Sequence, residues 1–163
     1  MKRILTALIA VTLVATAAPA FAQNASQIAR VRGGAGCLGC NLFQGSFGGL
    51  EARGLNLSGA RLRQADLSLA VMNRTRFSNA DMRDVDAFGA VFSSSNFSGA
   101  NLTNASFVGT YLQGSNFSRA TLNGTNFSGA QLTRATGLTQ SQLNRACGDS
   151  STRLPPGLRI PAC

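Results

Sequence analysis

Histidine and tryptophan are absent from the 163 residues, tyrosine occurs once, and the only lysine is Lys2. Without histidine there is no Ser-His-Asp triad, no imidazole proton shuttle and no histidine metal site. Acidic residues are also scarce, 6 against 15 Lys+Arg, so the formal net charge is +9. At 13 % charged and a mean hydropathy of +0.08, the chain is nevertheless too apolar to be disordered. What is abundant is glycine, 18 residues, with many Ala, Ser and Asn, a composition of tight turns rather than long helices. The length sets a single folded domain as the expectation.

One long apolar run is present, at the N-terminus. Lys2 and Arg3 precede an unbroken stretch of apolar and small residues from Ile4 to Ala18, and Ala20-Phe21-Ala22 fits the small-x-small cleavage rule. Residues 1–22 are therefore expected to be a signal peptide cleaved after Ala22, since the apolar core is shorter than the ~20 residues of a spanning helix. No Cys follows the cut to carry a lipid, and no other segment is long and apolar enough to span a bilayer. Cleavage leaves 13 Arg against 6 acids, a net charge of +7. The expected location is the periplasm or the secreted fraction, where disulfides persist.

A five-residue period runs through most of the remainder. Stepping by five from Leu42 to Leu132, seventeen of nineteen positions are Leu, Phe or Met, the exceptions being Ala52 and Ala87. Two residues before the large one, Ala, Ser or Thr fills fourteen of the nineteen positions. Two residues after it Gly dominates, as at Gly59, Gly99, Gly109 and Gly124. A period of five matches neither a helix nor a strand, but it does match a chain that turns a corner every five residues.

Units such as Ala65-Asp66-Leu67, Ala80-Asp81-Met82, Ala100-Asn101-Leu102 and Ser115-Asn116-Phe117 resemble the A(D/N)Lxx pattern of the pentapeptide repeat family, over about Cys37 to Ala135. The resemblance implies an all-β solenoid, a right-handed quadrilateral β-helix of about five coils, with the large residues inside and the small ones beneath the corners. One unit cannot bury its single large side chain alone, whereas stacked coils share a continuous core. The open ends of such a rod expose unpaired backbone and need covers. Residues 23–36 are expected to form an N-terminal arm, with Ala25 to Val31 as a short lid. In 136–163, Thr139 with Gln142 forms a capping box and Leu138 with Leu143 a hydrophobic staple, so a capping helix is expected from Gln140 to Cys147, stopped at Gly148. The tail after Ser150 is expected to be extended loop.

Four cysteines allow three pairings. Cys37-Leu38-Gly39-Cys40 is a CxxC, a spacing that also serves redox and metal sites. No βαβ setting for a redox helix is visible, and a metal site would need Cys147 and Cys163 from the far end of the rod. In phase, Cys37 and Cys40 both point inward. Structural pairs Cys37–Cys40 and Cys147–Cys163 are the expectation, as the exported context and the resemblance to exported pentapeptide proteins imply.

Residues twenty apart stack on one face, which lays out the surface. Ser58, Ser78, Ser98 and Ser118 form a ladder explained by turn chemistry. Val71, Val91 and Tyr111 repeat at one outward position, and Phe88 and Val108 at another across the corner, with Leu69 beside them. These six outline an apolar stripe, the expected contact with a protein partner or a second copy. Three readings compete: a terminal arm lying over the stripe, Phe88 slipping inward at Ala87, or scattered apolar surface without a contact role. Arg61, Arg63 and Arg83 lie near Asp81 and Asp84. Asp66 and Asp86 stack one coil apart, and neutralisation by Arg is expected there. Arg53, Arg74 and Arg76 gather at another corner, an expected anion site.

The expected function is non-catalytic: an exported protein-interaction or structural module of the bacterial envelope, without cofactor or metal. The alternative is binding of an acidic polymer, lipid head group or nucleic acid through the surface arginines. Specific nucleic-acid readout is not expected, because outward aromatics are few. The family's best-known activity, DNA mimicry that protects a topoisomerase, depends on an acidic surface, and this chain is basic.

Overall fold

The computed structural model describes residues 23–163; the expected signal peptide lies outside the described residues. Residues twenty apart are joined by parallel bridges in four ladders. They run Asn41–Arg61–Asp81–Asn101–Thr121, Ser46–Asp66–Asp86–Ser106–Asn126–Cys147, Glu51–Val71–Val91–Tyr111–Gln131–Arg153 and Asn56–Arg76–Asn96–Asn116–Thr136. Each ladder lies five residues from the next, so one turn of the chain visits all four sides. Among the described residues every side is a single bridged residue between two corners, not an extended strand. The short side leaves no room for more.

The period has a bonding cause. The large residue donates its N–H to the coil above, as Leu57 does to the Arg76 carbonyl at 2.8 Å. The residue before the large one donates to the coil below, as Arg76 does to the Leu55 carbonyl at 2.8 Å. At most corners the small residue closes a turn onto the preceding large one, Ala60 N–H to the Leu57 carbonyl at 3.1 Å. That turn takes the residue two after the large one into the left-handed region, with φ +67° at Gly59 and +68° at Gly99. Glycine enters that region without steric cost, which is why it dominates there. Leu69, at φ +58°, is the one apolar side chain in this conformation among the described residues.

The Asn or Asp before the large residue also has a task. Its Oδ1 accepts the N–H two residues on, as Asn116 does from Ser118 (2.9 Å) and Asp66 from Ser68 (2.9 Å). The Ser hydroxyl often donates to the same oxygen, at 2.7 Å for Ser118 and 2.6 Å for Ser68. The recurrent Asn-x-Ser sequence is thus an Asx turn. Asp66 and Asp86 use their carboxylates in this way, Asp86 accepting from Phe88 N–H at 3.0 Å. Neither takes part in the two ion pairs among the described residues, so the expected neutralisation by Arg is replaced by turn donors.

Inside, the large residues form a continuous core, with Leu57, Phe77, Phe97 and Phe117 all fully buried. Phe77–Phe97 and Phe97–Phe117 stack at 5.1 Å and 9°. Phe92 meets Phe77 edge-on at 5.6 Å. Each such contact adds about 0.5–1.5 kcal/mol beyond burial. Hydroxyls at the small position bond the large-residue carbonyl one coil below: Thr110 to Ala87 and Thr125 to Leu102, each at 2.8 Å, and Ser95 to Met72 at 3.2 Å. The turn bond is absent at Leu55, Thr75 and Val85, all buried.

Helix α1, Ala25–Arg32, starts at Asn24, whose side chain accepts from Gln27 N–H at 3.1 Å. It buries Val31 and packs Ile28 against the core. Gln27 Oε1 accepts from Asn41 N–H at 2.7 Å. Helix α2, Gln140–Leu143, has the capping box between Thr139 and Gln142 and buries Leu143. Gln142 Nε2 donates to the Phe117 and Ala120 carbonyls at 3.0 and 2.9 Å. The helix is shorter than the sequence predicts, because the chain returns to the ladder: Cys147 donates to Thr125 and accepts from Phe127. Gly148 is not a helix stop. Its N–H bonds Pro161, and an added Cβ would lie 2.8 Å from Thr152 Oγ1. The tail also departs from simple extended loop, since Arg153 bridges Gln131 and Ala162 bridges Gly148.

Candidate functional site

The third ladder brings Val71, Val91 and Tyr111 directly above one another. Across the corner, Phe88 and Leu69 flank them, with Leu69 N–H bonded to the Phe88 carbonyl at 2.8 Å, and Gly89 N–H to that of Val108 at 2.9 Å. Leu69 is 61 % exposed, Phe88 53 % and Tyr111 48 %, while the three valines are half-buried. A large side chain at 53 % exposure has not slipped inward, so the space beside Ala87 is not filled by Phe88. The described terminal segments pack and bond at the two ends of the coil stack and leave these three large side chains open.

Leu69 is the least comfortable member. Its left-handed backbone costs roughly 1–2 kcal/mol relative to glycine, the residue that usually occupies this corner. Its Cδ2 lies 2.9 Å from where a Cβ on Gly89 would stand, so the side chain covers the glycine one coil above. Nine other non-glycine residues take the same left-handed corner, so the conformation belongs to the repeat, and what sets Leu69 apart is an exposed apolar side chain there.

The charges divide into paired and unpaired. Arg83 grips Asp81 with two bonds, Nε–Oδ1 2.7 Å and Nη2–Oδ2 2.6 Å. The Arg83 guanidinium holds the Asp81 carboxyl below the ordinary carboxylate range. Arg63 Nε lies 3.5 Å from Asp84 Oδ2, a partly exposed contact without hydrogen-bond geometry and of little energetic weight. Arg53, Arg74 and Arg76 join neither pair. Arg53 and Arg74 line one cavity with Asn73, Ser93 and Ser94, whereas Arg76 lies in the adjacent ladder and is not part of that lining.

Cys37 and Cys40 stand at disulfide distance with Cα atoms 5.5 Å apart, and Cys147 and Cys163 with Cα atoms 4.8 Å apart. The first pair closes the turn next to α1, and the second ties the tail to the returning chain. Asp149, beside the second pair, is a polar hub that inspection of the sequence missed. Its Oδ1 accepts from Gly129 N–H (3.0 Å), Ser151 N–H (2.9 Å) and Ser151 Oγ (2.7 Å). The Ser151 hydroxyl first, then Gly129 N–H, hold its pKa down to about 2. The signal was available, because Asp149-Ser150-Ser151 repeats the Asx-turn spacing out of phase with the period.

The family described as pentapeptide repeats matches this chain in 8 copies, over residues 53–93, 70–107, 100–136 and 110–147. No curated protein matches the sequence. Among solved structures, the chain is similar to Rfr23, a pentapeptide repeat protein from the cyanobacterium Cyanothece 51142, at 21 % identity over 79 % of this chain and 97 % of that one, TM-score 0.37. It is similar to QnrB1, a plasmid-mediated fluoroquinolone resistance protein, at 17 % identity over 75 % of this chain and 77 % of that one, TM-score 0.40. It is also similar to a pentapeptide repeat protein from the Arabidopsis thaliana thylakoid lumen, at 28 % identity over 60 % of this chain and 68 % of that one, TM-score 0.34. A right-handed quadrilateral β-helix is the fold implied by such repeats, and the four ladders correspond to its sides. With matched repeats spanning more than half of its length, the chain belongs to the pentapeptide repeat family.

Proposed function

We propose that this protein is an exported, non-catalytic interaction module whose contact surface is the apolar stripe of Leu69, Val71, Phe88, Val91, Val108 and Tyr111. The observation that carries the reading is the joint exposure of Leu69, Phe88 and Tyr111, with Leu69 the one apolar side chain at a left-handed corner among the described residues. Export rests on the sequence of 1–22 and on two cysteine pairs, which suit an oxidising compartment. The layout that goes with it is about five coils between an N-terminal lid and α2 as the C-terminal cap. Among the described residues no helix is long and apolar enough to cross a membrane.

The partner is a protein or a second copy of this chain. Topoisomerase protection by DNA mimicry is disfavoured, because a chain with a formal net charge of +9 presents the wrong sign. Affinity capture from an envelope extract tests the reading, with the wild type run beside a Val91→Asp/Tyr111→Asp variant shown to be folded. A defined partner, or the protein itself, captured by the wild type alone is the expected result. Identical captures from both would remove the stripe as the contact.

A further inference from the structure

The corner beside the stripe combines unmet main-chain donors, which other corners without Asn or Asp also carry, with a turn bond missing in successive coils. Where residue 56, 96, 101, 116 or 126 supplies Asn, the N–H two residues on is satisfied by its side chain. On the third ladder the equivalent residues are Val71 and Val91, which offer no acceptor. The N–H groups of Asn73 and Ser93 accordingly donate to no protein atom among the described residues. These two donors stand one coil apart. The same corner has lost its turn bond in two successive coils, at Leu55 and Thr75.

A cavity of about 250 Å³ opens there, lined by Arg53, Asn73, Arg74, Ser93 and Ser94. Arg53 and Arg74 form no ion pair with the protein's carboxylates. The Asn73 side-chain oxygen is buried without a partner. The Ser93 hydroxyl donates to Gln113 Oε1 at 3.2 Å, and the Ser94 hydroxyl, also in the lining, has no partner among the described residues. One side of the coil thus gathers two free guanidinium groups, two free main-chain N–H groups, a hydroxyl donor and one unmet acceptor.

We propose that this corner is a binding site for a phosphate group. A carboxylate has two oxygens and no proton to give at neutral pH, so it would leave the Asn73 oxygen unmet. A phosphate monoester or inorganic phosphate offers three or more oxygens to the donors. Its second pKa lies near ~6 to 7, so it also carries a P–OH for part of the time, and that group donates to Asn73 Oδ1. Arg53 and Arg74 supply charge-assisted bonds from two successive coils, and the Asn73 and Ser93 N–H groups complete the cradle. The site is independent of the protein contact proposed for the stripe.

Isothermal titration calorimetry on the purified protein at moderate salt tests it, with inorganic phosphate, glycerol 3-phosphate and acetate as probes. The expected result is one-to-one binding of phosphate and glycerol 3-phosphate, with acetate at least tenfold weaker. Tighter binding of glycerol 3-phosphate than of phosphate identifies an esterified head group as the natural source, and equal binding identifies free phosphate. Arg53→Gln/Arg74→Gln and, separately, Asn73→Asp are each expected to weaken phosphate at least tenfold. Arg119→Gln, which removes one positive charge elsewhere on the surface, is expected to leave it unchanged. All three variants are checked for folding by circular dichroism. No binding, equal binding of acetate, or equal losses from Arg119→Gln and Arg53→Gln/Arg74→Gln would overturn the proposal, the last outcome showing only a diffuse positive field.

Discussion

Replacing Thr75 by valine is expected to stabilise the protein by about 1 kcal/mol, while the same change at Thr110 or Thr125 is expected to cost about 1 kcal/mol. All three threonines occupy the small position of their repeat and are fully buried. Thr110 and Thr125 donate at 2.8 Å to the carbonyl of the large residue one coil below. The Thr75 hydroxyl has no partner. Its counterpart acceptor is the Ala52 carbonyl, in the corner whose turn bond is missing at Leu55. Valine keeps the shape and removes the hydroxyl. At Thr75 that deletes an unmet buried group, and at the other two it deletes a bond worth about 1 kcal/mol net. The two outcomes differ by about 2 kcal/mol, or roughly 4–8 °C in Tm for a domain of this size. Urea unfolding at 25 °C, disulfides intact and followed by two probes, measures each midpoint. If Thr75→Val loses as much stability as Thr110→Val, the lapse in bonding at this corner is not what the structure describes.

Three further outcomes follow from the same geometry. Leu69→Gly relieves the left-handed backbone but raises the entropy of the unfolded chain, so stability is expected to change by less than about 1 kcal/mol. Partner capture is expected to fall sharply in the same variant, and loss of stability without loss of capture would contradict the role given to Leu69. Replacing Cys147 and Cys163 by serine opens a loop of 16 residues' separation and is expected to cost about 3 kcal/mol, with hydrogen exchange accelerating first at Phe127 and Leu132. The Asp149 pKa, about 2 in the folded protein, lies below its unfolded value. Its contribution is therefore complete above about pH 4 and lost as pH falls toward 2. Asp149→Asn is expected to flatten the stability profile in that window, and an unchanged slope would refute the hub.

The five-residue period made the family legible, because every coil repeats the same bonds and a single phase carries from Leu42 to Leu132. The glycine that recurs two residues after the large one likewise announces a positive φ at that corner. The helix over Gln140 was legible from its capping box, but not its end. Cys147 must rejoin the ladder above Asn126, and no local signal says so. The positions of the stripe were readable from register, since outward residues repeat every twenty. Its flank was not. Asn73, Ser93 and Ser94 are ordinary turn residues in sequence, and their grouping with Arg53 and Arg74 depends on bonds missing at Leu55 and Thr75. Asp66 and Asp86 misled for a related reason: charge alone implied Arg partners, whereas the turn N–H groups were nearer.

Site-specific photo-crosslinking in the producing cells tests the central claim most directly. A photoreactive phenylalanine analogue is placed at Tyr111 or Phe88 and, as controls, at Thr121 and Arg76 on other sides of the coil. The account predicts a discrete adduct of defined mass from Tyr111 and Phe88 and none from the controls. No adduct from any position, or the same adducts from all four, would contradict a contact surface on the stripe.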